Sequence, residues 1–332
     1  MQDSMEAMVF AGTGRPLEHR KLPVPVPGLQ EVLIKIISCG ICRTDLHILD
    51  GELAHPKPNL IPGHEIIGQV ASIGSEVTRL HTGMYVGVPW LGYTCGRCDY
   101  CLQGKENLCE QAKFTGYTID GGFAEYCAAH EDYCMLLPYT YRNASSAPLL
   151  CAGLIGYRCW SMIEVSAIKI GLYGFGAAAR ILTQIAVQQG KEIYAFTKKG
   201  DLINQAFSLK LGAVWAGDTM QHCPQKLDAA IIFAPAGDLV PKALNDIRKG
   251  GTVVCGGIYM TDIPSFPYHL LREEKILRSV ANLTKQDGLA FIRLLKSMNI
   301  QTDANLFPLT SANTAIEQLR NGSISGTAVL VM

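Results

Sequence analysis

Four cysteines, Cys95, Cys98, Cys101 and Cys109, fall within one short segment, with two, two and seven residues between them. Four thiolates so spaced can surround a tetrahedral Zn2+ at about 2.3 Å each, a closed structural site with no place for substrate. The segment is polar and contains glycine, so it cannot bury enough apolar surface to fix its own shape, and metal binding would supply that order. Buried free thiols or a redox Cys-x-x-Cys would not explain four cysteines in one loop. A second group of ligand-type residues is split in sequence: Cys39-Gly-Ile-Cys42-Arg43-Thr44-Asp45-Leu46-His47, then Pro62-Gly63-His64-Glu65. Spacing does not say which of these would bind metal. Cys39 and Cys42 alone could equally be a redox pair, and His64 alone a satisfied polar residue.

A third motif, Gly171-Leu-Tyr-Gly174-Phe-Gly176-Ala-Ala-Ala179, lies between a strand pattern and a helical one. Gly174 permits a tight turn, and Gly176 lets a pyrophosphate approach the helix N-terminus, where free N–H groups and the dipole favour anions. Ala179 stands where the fingerprint allows alanine for a third glycine. The carboxylate that would bind the adenosine ribose 2′-hydroxyl should end the second strand, yet Thr197 stands there, followed by Lys198 and Lys199. A 2′-phosphate would meet two cations, so the residues lean to NADP over NAD.

The elements that must position these groups differ along the chain. Residues 1–150 hold short runs (Glu31–Ser38, Ile66–Ile73, Tyr85–Val88, Gly122–Ala128) separated by turn residues, a pattern of a small irregular β barrel. From residue 153 strands and helices alternate: strands at Ala167–Tyr173, Glu192–Thr197, Ala213–Ala216, Ala229–Phe233, Thr252–Gly256 and Ile276–Val280, with helices at Ala177–Gln189, Leu202–Leu211 and Leu239–Lys249. That alternation predicts parallel βαβ units. Helices at Asp287–Met298 and Ala312–Arg320 and a strand at Gly326–Met332 close the chain.

Composition narrows the functional classes. The 332 residues carry 29 Lys+Arg against 29 Asp+Glu, and this balance lacks the cationic excess that phosphate-backbone binding rewards, so nucleic acid is not expected as a partner. No apolar run approaches the ~20 residues of a bilayer span, and the amino terminus does not read as a signal peptide. Outside the four-cysteine loop the other eight of the twelve cysteines are dispersed, which suits a reducing cytoplasm.

Together these segments resemble the zinc-dependent alcohol dehydrogenases of the medium-chain dehydrogenase/reductase family, over essentially the whole chain and in the family's order. The resemblance implies an α/β architecture: a GroES-like β-barrel catalytic domain over 1–152, a Rossmann doubly wound parallel-sheet domain over 153–282, and a return of 283–332 to the catalytic domain, with the active cleft between the domains. It matches Gly40 to His47 with the family's Gly-x-Cys-x-Thr/Ser-Asp-x-His, which makes Cys42 a catalytic zinc ligand. His64 of Gly63-His64-Glu65 is implied as the second ligand and Cys151 as the third. It further implies that Asp45 orients His64, that Glu65 lies behind the metal, and that Arg43 meets the cofactor pyrophosphate. The implied chemistry is a zinc-held alkoxide giving hydride to NAD or NADP, an activation of about 12 kcal/mol if it matches that of zinc-bound water. The proton would leave by a relay from Thr44 through the ribose to His47. Trp90 would wall a narrow pocket for small primary alcohols and their aldehydes. Two zinc ions per subunit and a homo-oligomer, dimer or tetramer, complete the expectation. The alternatives are an NADPH-dependent aldehyde reductase of the cinnamyl alcohol dehydrogenase type and a non-catalytic zinc-ribbon binding protein. One departure is that the closing Ser325-Gly326-Thr327-Ala328 lacks the family's second pyrophosphate-binding arginine.

Overall fold

The computed structural model describes residues 3–54, 56–324 and 326–332, so His55, Ser325 and the first two residues of the chain lie outside the described residues. The chain divides into two units. One comprises Met1–Cys151, Thr284–Ser297 and Gln301–Met332, the other Ala152–Leu283 and Met298–Ile300.

In the first unit, alternating apolar side chains build a seven-stranded sheet whose central strand is Glu31–Ile41. It pairs antiparallel with Glu65–Ile73, Tyr126–His130 and Thr327–Val331, so the last strand of the chain locks beside an early one. Ile34, Ile36, Ile66, Val70, Val86 and Leu330 fill one continuous core there. The strand expected at Gly122–Ala128 begins only at Tyr126. The reason is close packing: a Cβ on Gly121 would stand 2.0 Å from the Gly63 carbonyl oxygen, so this glycine pair serves backbone contact rather than the ladder.

The second unit is a six-stranded, wholly parallel sheet. Its spatial order is Trp215–Asp218, Glu192–Thr197, Lys169–Tyr173, Leu227–Ile232, Ile247–Cys255, Ile276–Ser279. Numbered by chain order within the sheet this is 3-2-1-4-5-6, the doubly wound arrangement in which the strand order reverses beside the first strand. Both faces are covered. Ile170, Leu172, Ile193 and Ile231 pack on one side and Tyr173, Phe196, Ala230 and Ile232 on the other, which is why these strands read as continuous apolar runs.

Two helices are shifted from the spans the periodicity predicts. The helix expected over Leu239–Lys249 stops at Asp246, because Ile247 enters the parallel ladder opposite Leu227. The expected Asp287–Met298 helix runs over Lys285–Leu295, started by a capping box in which Thr284 and Asp287 satisfy each other's backbone N–H groups. Helices at Arg43–Leu49 and Ala152–Ser161, which carry no strong periodic signal, flank two of the ligand-type cysteines.

Candidate active site

Cys42 follows directly on the central strand of the first sheet and caps the helix Arg43–Leu49. Its Sγ accepts the Thr44 N–H at 3.3 Å, and its own N–H donates to the Asp45 carboxylate at 2.9 Å. This cap fixes the sulfur and, with the same stroke, buries Asp45 completely beneath it. His64 arrives from the turn before Glu65–Ile73, where Gly63 has φ 95° and a Cβ would meet Phe123 at 2.4 Å. Cys151 follows the turn at Ala144–Leu150.

The three converge. Cys42 Sγ lies 3.1 Å from His64 Nε2 and 4.0 Å from Cys151 Sγ. Ligands on a tetrahedral Zn2+ stand about 3.3–3.8 Å from one another, so this donor set encloses a point within bonding reach of all three. Cys39, the competing candidate, is fully buried 2.8 Å from where a Gly63 Cβ would be and takes no part. A carboxylate oxygen of Glu65 joins the group, all four donors lying within 4.8 Å of one another. Glu65 Oε2 and His64 Nδ1 are buried without a hydrogen-bond partner, and His64 Nδ1 faces Asp45 Oδ1 at 3.4 Å. Orphaned polar atoms at full burial are costly; a cation at the shared point accounts for the carboxylate.

The buried donors perturb one another strongly. The hydrogen bond from Cys151 and the adjacent imidazole hold the Cys42 thiol well below its ordinary value, while that same contact and burial push Cys151 up. Burial raises the Glu65 and Asp45 carboxyls. Burial opposes a charge on His64, yet Cys42 and Asp45 overcome it and raise the imidazole. A divalent cation inverts this logic, since its ligands must be deprotonated to bind.

The four-cysteine loop forms a second donor cluster, Cys95, Cys98, Cys101 and Cys109, with sulfur separations of 3.9 Å (Cys95–Cys101) and 3.5 Å (Cys98–Cys101). Backbone N–H groups point at the sulfurs: Cys98 to Cys95 and Cys95 to Cys109, each at 3.4 Å. The Arg97 and Cys98 amides hold the Cys95 thiol down to about 6. The loop is anchored to the helix Lys285–Leu295, whose first N–H, that of Lys285, donates to buried Glu106.

Trp90 stands beside the first cluster, its ring edge-on to His64 at 4.9 Å. It stacks on Phe114 at 5.3 Å and Tyr117 at 5.7 Å, two aromatic neighbours that sequence spacing did not single out. Thr44 is buried within the same helix turn, Arg43 is exposed, and His47 Nδ1 is paired with the Glu52 carboxylate.

In the second unit Gly174 adopts φ 93°, and a Cβ there would come within 2.7 Å of the Ala234 nitrogen. Gly176 precedes the helix Ala177–Gln188 with no side-chain cap and open space where its Cβ would be. Ala179 is fully buried under the helix. Free N–H groups with room above them fit a pyrophosphate. At the end of the second strand Thr197 is buried and accepts from Gln205 at 3.1 Å, while Lys198 and Lys199 are exposed. The loop is not free of carboxylates, however. Asp218, the register partner of Thr197, accepts from the Gly200 N–H and from Gln205, each at 3.0 Å. The ladder pairing of two strands placed it there, and no spacing rule could.

The alcohol dehydrogenase GroES-like domain family matches residues 28–139. The chain is 42% identical over 325 residues to a probable alcohol dehydrogenase, AdhA, of Mycobacterium tuberculosis (strain CDC 1551 / Oshkosh), a match covering 96% of this chain and 93% of that protein. Among solved structures it is similar to a cinnamyl alcohol dehydrogenase, SbCAD4, of Sorghum bicolor (TM-score 0.89, 24% identity, 99% of this chain and 97% of that one). It is also similar to the CAD of Helicobacter pylori complexed with NADP(H) (TM-score 0.87, 23% identity, 100% and 99%). At these identities the structural likeness is one of fold.

Proposed function

The chain belongs to the zinc-type medium-chain alcohol dehydrogenases, and we propose that it interconverts a small primary alcohol and its aldehyde with a nicotinamide cofactor. That membership removes the non-catalytic zinc-ribbon alternative. The observation that carries the proposal is the convergence of Cys42, His64 and Cys151 on one point beside an aromatic wall.

When bound there, zinc supplies the Lewis acidity that makes a ligated hydroxyl acidic near neutral pH, and the nicotinamide supplies the hydride acceptor. The chain's own residues do the rest. Two thiolates and a neutral imidazole balance the metal's charge, and Asp45 holds the imidazole with Nε2 toward the metal. The Thr44 hydroxyl would accept the substrate proton while releasing its own to the cofactor ribose hydroxyl, and His47, fixed through Nδ1 by Glu52, would pass the relayed proton to solvent. Trp90, Phe114 and Tyr117 exclude water and bulky substrates. The N–H groups opening Ala177–Gln188 would hold the pyrophosphate. Lys198 and Lys199 favour a 2′-phosphate, and Asp218 is engaged by two donors, which leaves it less able to repel one. NADP is therefore the favoured cofactor. The cinnamyl-type aldehyde reduction is this same chemistry run in reverse.

The reading includes two zinc ions per subunit, the second in the four-cysteine loop. It also includes a homo-oligomer, since the sheet edge at Ile276–Ser279 leaves Ile276 47% exposed. Cytoplasmic residence is part of it. All twelve cysteines are free thiols, and among the described residues no helix is long and apolar enough to cross a membrane. One experiment tests the core: metal analysis with cofactor titration. About two zinc per chain, with alcohol-dependent reduction of NADP, is expected; zinc only in the four-cysteine loop, or no absorbance change with any primary alcohol, would refute it.

A further inference from the structure

The first unit carries, apart from both cysteine clusters, a groove of about 800 Å³ between the turn at 79–85, the segment 134–142 and the helix Lys285–Leu295. Its charged lining is of one sign. Arg79, Arg142, Arg293 and Lys296 line it together with His81, and no carboxylate does. Asp132, beyond the lining, meets Arg79 at 3.8 Å but is held more closely by Lys285 at 2.7 Å. Among the described residues no acid comes within ion-pair reach of Arg142, Arg293 or Lys296. The Arg142 guanidinium is placed over the Tyr85 and Tyr139 rings, at 5.2 and 5.7 Å, and its Nε donates to the Leu137 carbonyl. It is thus held in position rather than waving in solvent.

The walls between these cations are apolar. Met84, Met135, Leu137 and Ile292 line the groove, and Leu136 and Leu289, 45% and 47% exposed, present bare leucine surface from opposite sides. A chain with zero net charge has no general need for such a cationic concentration. Like charges gathered in a concave apolar surface repel one another and raise a local positive potential. A ligand that carries an anionic head and an apolar body relieves both costs at once.

We propose that this groove binds a single-chain anionic amphiphile, a medium-chain carboxylate being the chemistry that fits: the head on Arg142, Arg293 and Lys296, the alkyl chain along Leu136, Leu289 and Met84. The site is separate from the proposed reaction centre and does not depend on it.

Calorimetric titration of the zinc-loaded full chain with dodecanoate, below its micelle concentration and at low ionic strength, tests this. Saturable binding of one molecule per chain is expected. Octanoate should bind more weakly, by up to about fourfold for each methylene lost, and added salt should weaken both. The double variant Arg293→Glu/Lys296→Glu should bind about tenfold more weakly or worse. Leu289→Asp provides a second variant, read the same way, should the first not fold. Absence of saturable binding, unchanged affinity in both variants, equal binding of neutral dodecyl maltoside, or displacement by imidazole at the metal would each overturn the assignment. So would a groove closed by a second copy of the chain, seen as binding that appears only on dissociation of an oligomer.

Discussion

Asp45 offers the sharpest test of how the first cluster is held. It is fully buried, its carboxylate accepts the Cys42 N–H at 2.9 Å, and its other oxygen faces His64 Nδ1 at 3.4 Å. With Nε2 toward the metal, the neutral imidazole must carry its proton on Nδ1, so both groups facing Asp45 are donors. Asp45→Asn keeps the volume but offers one acceptor and one donor. Whichever way the amide turns, an N–H meets an N–H at full burial, either at His64 or at the helix cap. Removing such an outer partner typically costs 10–100-fold in metal affinity, or about 1.4–2.8 kcal/mol. The assay is competition for zinc against a chromophoric chelator, where the four-cysteine loop serves as an internal reference. One zinc per chain should be lost 10–100-fold more readily in the variant, and the other should be unchanged. Two zinc sites both within twofold of wild type would falsify the claim that Asp45 orients His64.

Four further outcomes follow from particular contacts. In metal-free protein, burial raises the Glu65 carboxyl well above the ordinary glutamate value of 4.5, so its contribution to stability is intact below that pH and is lost as pH rises through the raised value. Metal-free Glu65→Gln should accordingly melt higher than metal-free wild type at pH 8, with the gap closing below pH 4.5; a gap independent of pH would count against this. Gly174→Ala forces a Cβ to 2.7 Å from the Ala234 nitrogen at φ 93° and should cost about 2 kcal/mol or more in a denaturant melt, whereas Gly176→Ala has open space and should leave stability alone while weakening cofactor binding in fluorescence titration. Lys198→Ala/Lys199→Ala should lower kcat/KM for NADP by about tenfold with little change for NAD, and a wild-type enzyme preferring NAD by about tenfold would defeat the cofactor assignment. His47→Gln should slow alcohol oxidation at about pH 6–7 and be partly rescued by added base; an unchanged pH profile removes His47 from the relay.

The parallel sheet was legible because its strands are buried on both faces and its helices carry a 3.6-residue stripe, so every residue reports its own environment. The four-cysteine loop was legible for a related reason: all its donors lie within one short stretch, and spacing alone limits their geometry. What spacing left open, and the family resemblance alone supplied, was whatever depends on partners far apart along the chain. Nothing local distinguishes Cys151 from the buried Cys159, nor Cys42 from Cys39. The helix cap at Cys42, the turn at Gly63 and the bend after Leu150 decide which sulfurs reach His64. Asp218 likewise meets the turn after Thr197 only because two strands pair in one register. The sequence by itself therefore determined the element types and the loop that carries its own ligands, since those follow from short-range periodicity and spacing. Tertiary structure alone decided which distant donors meet, because that choice is made by strand pairing and packing across more than a hundred residues of intervening chain.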